Sequence, residues 1–167
     1  MNLLFANPYN HSVNGFFFTS YDEYQKNLSN LTDSFNQPVE EVEIEWIDGD
    51  HAQLFEACKI SQATLSLWFE EIEYLDISEQ VEIYYRCRIL GQDVEKALSS
   101  LDTDGTIFGS SLIDYARNYV FESGILDKLP EAMRCYFDYE LMARDLEISG
   151  SMDEFSYLGS PYTATGF

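Results

Sequence analysis

The chain has 167 residues, 46% of them apolar and 16% aromatic, with thirty Asp and Glu against nine Lys and Arg for a formal net charge of −21. That apolar and aromatic content suffices for a buried core and excludes intrinsic disorder. The charge excludes nucleic acid as a direct ligand, because phosphate binding needs a basic footprint, and points to a basic partner.

Taken in chain order, the N-terminal segment reads as two short strands near residues 3–6 and 15–19, an amphipathic helix near 21–31 and a strand near 42–47. Asn7-Pro8 and Asn14-Gly15 offer turn chemistry between the first two. In the last strand Val42, Ile44 and Trp46 alternate with Glu41, Glu43 and Glu45, so a period of two buries the first set and presents the second as a row of carboxylates. His51 follows Asp50, which is placed to cap a short helix; both His11 and His51 are expected at the surface.

From about residue 61 the apolar period becomes helical. Leu65, Trp68, Ile72 and Leu75 share one stripe, a second helix near 77–90 turns Val81, Tyr84 and Cys87 inward and stops at Gly91, and a third carries Val94, Ala97, Leu98 and Leu101. Beyond a turn at Asp102-Thr-Asp-Gly, a helix from about residue 110 sets Leu112, Ala116, Tyr119 and Val120 on one face and ends near Gly124. Pro130 suits the first position of a further helix carrying Met133 and Phe137, which continues or restarts through Leu141, Met142 and Leu146, and residues 155–158 read as a terminal strand. The fold class expected is α+β, with subdomains at 1–58 (small sheet plus helix), 59–100 (helical) and 101–167 (α+β).

The charge is uneven. Residues 27–85 hold fourteen acids and one base, Lys59, whereas residues 86–167 hold fourteen acids and seven bases. Two clusters stand out: Glu40, Glu41, Glu43, Glu45, Asp48 and Asp50, then Glu70, Glu71, Glu73, Asp76, Glu79 and Glu82. Alternate residues of a strand stand about 6.8 Å apart, matching every second phosphate of a DNA strand spaced about 3.4 Å. Helical pairs such as Glu70 with Glu73 and Glu79 with Glu82 lack a Lys four residues on to neutralise them. A salt-adapted protein with acids on every face is the plain alternative.

Catalytic motifs are missing from the sequence: there is no HExxH, GxSxG, GxxxxGK or GxGxxG, so no enzyme activity, cofactor or metal is expected. Residues 100–111 follow a calcium loop only in part, since Ser100 and Ser111 stand where two carboxylate ligands belong. Cys58, Cys87 and Cys135 form no CxxC pair, and reduced core thiols are expected. The first residues carry no signal-like pattern and no apolar stretch approaches a membrane span, so a cytoplasmic location and no membrane partner are expected.

Over residues 114–150, Tyr115-Ala116-Arg117, Tyr119, Glu122, Gly124, Leu129-Pro130, Tyr136, Asp138-Tyr139 and Ala143-Arg144-Asp145-Leu146 resemble the ArdA antirestriction family. Weaker echoes are Tyr9-Asn10, Gly15, Glu40-Glu41 with Ile44-Glu45, and Leu67-Trp68. The resemblance implies a homodimeric DNA mimic that inhibits type I restriction-modification enzymes and protects incoming mobile DNA. It also implies an elongated chain of three subdomains joined to its copy through the C-terminal region. The matched Tyr, Gly, Pro and Leu residues are expected to hold fold or dimer, with Arg144 pairing to Asp145 or Asp138. The competing reading is an acidic mimic or scaffold for another basic protein, such as a nucleoid protein or a CRISPR effector.

Overall fold

The computed structural model describes residues 2–167, which fall into two compact units, the first ending at Ser99 and the second spanning Ser100–Phe167. Both are mixed α+β. The described residues up to Ser99, which take in most of the segments expected at 1–58 and 59–100, lie in the first unit.

The first unit is built on a three-stranded antiparallel sheet in which β1 (Leu3–Pro8) lies between β2 (Phe16–Phe18) and β3 (Val42–Asp48). The register pairs Leu4 with Phe18 and Trp46, and Ala6 with Phe16 and Ile44, so one face gathers the apolar side chains. Leu4 and Ala6 are fully buried there. Asn7-Pro8 belongs to β1 rather than to a turn, with Pro8, which has no N–H to donate, at the strand end opposite Val42. Gly15 has a different role from the turn expected: a Cβ on it would stand 2.4 Å from the Ala6 carbonyl oxygen and from the Phe5 ring, so only glycine lets the chain come this close to β1.

The register of β1 with β3 slips between Leu3 and Leu4, which pair with Asp48 and Trp46 and leave Ile47 as the extra residue, exposed to solvent. This irregularity ends the alternation that the sequence displays.

Helix α1 (Tyr21–Ser29) begins at Ser20, whose hydroxyl accepts from the Glu23 N–H while the Glu23 carboxylate accepts from the Thr19 N–H and hydroxyl. It buries Tyr24 against Phe18, ring centroids 5.1 Å apart. Burial pushes the Tyr24 phenol up to about 12, with the neighbouring Tyr21 adding to it. Because an unfolded tyrosine titrates near 10, the native state retains a proton that the unfolded state has lost between about pH 10 and 12. Stability is therefore expected to fall through that window, and Tyr24→Phe should flatten this part of the curve in alkaline denaturation; an unchanged curve would show that Tyr24 ionises freely.

The helical part comprises α2 (Ala52–Ala57), α3 (Leu65–Glu70), α4 (Ile77–Tyr84) and α5 (Val94–Ser99). The stripe from Leu65 to Leu75 is not one helix: the backbone leaves helical geometry at Glu71 and resumes as a 3-10 turn over Ile72–Tyr74. Helix α4 runs into a π turn, Tyr85–Ile89, and Cys87 is buried within it as expected. The core centres on Trp68, which is fully buried with its ring edge-on to Trp46 at 5.5 Å and to Phe55 at 5.0 Å. Helix α2 begins at His51 with no side-chain cap, so Asp50 does not cap it. His51 is half-buried rather than at the surface, 6.2 Å from the Trp68 ring.

The second unit has its own antiparallel sheet, ordered β4 (Thr106–Phe108), β6 (Ser160–Thr165), β5 (Asp153–Tyr157), with α6 (Leu112–Glu122), α7 (Glu131–Arg134) and α8 (Tyr139–Ile148). Helices α6 and α8 pack through Leu112, Ala116 and Ala143 with Met152. Strands β4 and β6 were not expected from sequence, because β4 is only three residues long and β6 is a largely polar run of six. The β5–β6 hairpin turns at Leu158-Gly159, both with positive φ, as the right-handed twist of a two-residue hairpin demands.

Several sequence expectations are corrected here. Tyr119 is exposed, not inward-facing, and stacks on Tyr115 at 6.3 Å. Pro130 precedes α7 rather than opening it, and α7 is a single turn with Met133 exposed. Cys135 is exposed, unlike the other two cysteines.

Candidate interaction surface

The two acidic clusters both lie in the first unit, on segments held by the packing just described. In the first cluster, Glu40, Glu41, Glu43, Asp48 and Asp50 are exposed. Glu45 is half-buried, and its carboxylate accepts from the Asn7 side-chain amide at 2.8 Å. The face carrying Glu43 and Glu45 also carries Phe5 and Phe17, their rings tilted against each other with centroids 4.8 Å apart, so the carboxylates border an aromatic patch rather than forming an uninterrupted row.

The second cluster divides by task. Glu70 and Glu71 are exposed. Asp76 and Glu79 form a capping box: the Asp76 carboxylate accepts from the Ser78 and Glu79 N–H groups, and the Glu79 carboxylate accepts from the Asp76 N–H at 2.8 Å. Glu82 is committed to Arg86, which is 1% exposed, through an ion pair of 2.7 Å. No Lys stands four residues after Glu82, but Arg86 fills that place and neutralises it, so this acid is not open as expected. Glu73 accepts from the buried Asn2 side-chain amide at 2.8 Å.

Folding brings Asp50 of the first cluster beside Glu70 and Glu73 of the second. An open cleft of about 590 Å³ is lined by Asp22, Asp50, Glu70 and Glu73, with Tyr21, Phe69 and Tyr74 as aromatic wall. Asp22 was not among the acids singled out in the sequence. It stands in the first turn of α1, far along the chain from the others, and only the packing of α1 against α3 places it here. A cleft with four carboxylates, no Lys or Arg in its lining and aromatic faces suits guanidinium or ammonium groups.

In the second unit, the residues 115–145 singled out by resemblance take structural positions. Ala116 is buried between α6 and α8, Gly124 has positive φ after α6, and Asp138 caps α8 by accepting from the Leu141 N–H at 2.9 Å. Arg144 pairs with neither Asp138 nor Asp145; it is exposed beside Glu140, Glu147 and Glu154. The ion pairs in this region join Arg117 to Asp114 at 3.1 Å and Arg134 to Asp127 at 3.6 Å, with the Arg117 guanidinium 6.0 Å above the Tyr139 ring. Glu154 on β5 accepts from the Leu112 N–H at the start of α6. Tyr119, Phe121, Met133, Tyr136, Leu141 and Ile148 are all exposed, between 47% and 86%.

Among the described residues no three of His, Cys, Asp and Glu converge as a metal ion would require. No helix of the described chain is long and apolar enough to cross a membrane.

A family model described as antirestriction protein (ArdA) matches residues 9–157. The chain belongs to the ArdA family. Membership carries antirestriction as the function and restriction-modification enzymes as the class of partner. For this ArdA protein, the match takes in both acidic clusters as well as the 114–150 run on which the resemblance rests. A comparison with curated proteins finds no match.

Proposed function

We propose that this ArdA protein inhibits type I restriction-modification enzymes as a DNA mimic, its exposed carboxylates occupying the enzyme's DNA cleft in place of phosphates. The observation that carries this reading is the concentration, in the first unit, of carboxylates that are exposed and take no ion pair: Glu40, Glu41, Glu43, Asp50, Glu70 and Glu71. A charge of −21 destabilises the compact state by self-repulsion, and a cationic partner offsets that cost on binding. Opposite fields also speed association. The mechanism is competition, with no bond made or broken.

The exposed apolar side chains of the second unit support a homodimer joined there. Two chains carry twice −21, or about −42, the charge of roughly 21 base pairs at about 1.7 Å of axis per charge.

A shaped acidic surface presents no base edges, so inhibition is expected to be indifferent to the enzyme's recognition sequence. Purified protein should block DNA binding by type I enzymes of several specificities, and its affinity should fall at least about tenfold between about 50 and about 200 mM salt. An enzyme that binds DNA unhindered at molar excess of the protein would refute the type I assignment. Inhibition without salt dependence would refute mimicry. Sedimentation giving only monomer at inhibitory concentrations would remove the dimer.

A further inference from the structure

The outer face of the first unit's sheet carries two phenylalanine rings beside a carboxylate. Phe5 on β1 stands opposite Phe17 on β2 and Glu45 on β3, so the three side chains lie in one line across the sheet, at a strand spacing of about 4.8 Å. The two rings are tilted at 51° with centroids 4.8 Å apart. Gly15 makes room for this arrangement: a Cβ there would stand 2.4 Å from the Phe5 ζ carbon, so the Phe5 ring leans along β2 towards Gly15 instead of standing away from the sheet. Phe17 remains 55% exposed. Asn7, next on that face of β1, donates its side-chain amide to one Glu45 oxygen at 2.8 Å, which orients the carboxylate and leaves the other oxygen for a further donor. Glu43, opposite Asn7, is exposed. Strands β1, β2 and β3 contain no Lys or Arg.

An apolar partner on this face would dehydrate Glu43 and Glu45 without compensation. A lysine ammonium would answer the carboxylates but is compact and strongly hydrated, and gains less from the rings. A guanidinium answers both, because it is planar and weakly hydrated, stacks on an aromatic face and forks its N–H groups towards a carboxylate. We propose that this face is a stacking platform for an arginine of the basic partner, with the guanidinium over the Phe17 ring and its N–H groups donating to the Glu45 carboxylate. The partner's identity rests on the mimic reading above, and the platform adds a selectivity to it. Imitation of phosphates by exposed carboxylates attracts Lys and Arg alike and is screened by salt, whereas stacking on Phe17 favours Arg and persists when the charges are screened.

The test uses the full chain and two fluorescent probes of equal length and charge, an arginine nonapeptide and a lysine nonapeptide, titrated at about 300 mM salt. The arginine peptide should bind at least about threefold more tightly than the lysine peptide. Phe17→Leu, which keeps an apolar side chain but removes the ring, should lose most of that preference, and Phe17→Trp should keep or raise it; a melting curve on each variant checks the fold. An undiminished preference in Phe17→Leu overturns the platform, and so does an equal loss for both peptides, which would mean an unselective apolar contact. Sedimentation supplies a further check: self-association that Phe17→Leu abolishes would give this face to a second copy of the chain and overturn the arginine. With a type I enzyme, Phe17→Leu should block DNA binding about threefold less well than the wild-type chain. A wild-type chain that prefers the arginine peptide through Phe17 yet leaves the enzyme unhindered would uphold the platform and overturn the type I reading.

Discussion

Glu82→Ala is expected to lower the stability of the first unit by about 3 kcal/mol, more than any other single change within the acidic clusters. Arg86 is 1% exposed and Glu82 stands against it at 2.7 Å. Removing the carboxylate takes the 2.7 Å counter-charge from a buried guanidinium and with it that share of the compensation for its dehydration. Urea denaturation followed by the fluorescence of Trp46 and Trp68 would measure the loss. The double change Glu82→Leu with Arg86→Met should recover most of it, because an apolar pair of similar volume replaces the ion pair. A single substitution costing under about 0.5 kcal/mol would show that water reaches Arg86.

The second large effect is on inhibition rather than stability. Replacing Glu40, Glu41, Glu43, Glu70 and Glu71 by Gln and Asp50 by Asn together takes the net charge from −21 to −15. Each of these acids is exposed and contributes about 0.5 kcal/mol to a salt-screened contact, so a single replacement should weaken inhibition about twofold and all six together on the order of 100-fold. The same six should leave stability equal or raised, since like charges are removed and no cap or ion pair is broken. Competition binding against DNA, with a melting curve on the same sample, separates the two quantities. One carboxylate carrying most of the loss would refute distributed mimicry.

The contrast between these experiments arises because acids that look alike along the chain have different work. Asp76 and Glu79 were expected as open carboxylates, although an acid followed three residues on by Glu is a capping-box pattern that marks a helix start. Glu82 was not legible as a buried partner, because the environment of Arg86 depends on how α4, the π turn and α5 close around it. Likewise Val42 and Ile44 declared an inward face by their period, while the bulge that exposes Ile47 could not be read from a single strand. The cleft required Asp22, Asp50, Glu70 and Glu73 to meet, and no local pattern spans that separation.

Charge, composition and apolar period determined by sequence alone that this chain folds as α+β and presents an acidic surface, because those properties are sums or local repeats. The C-terminal run also displayed its kinship, which the family match over residues 9–157 bears out. Tertiary structure alone decided which carboxylates are spent on caps and a buried arginine and which stay open to a partner. Those outcomes depend on pairings between distant residues, where desolvation and geometry, rather than residue type, fix what a charge does.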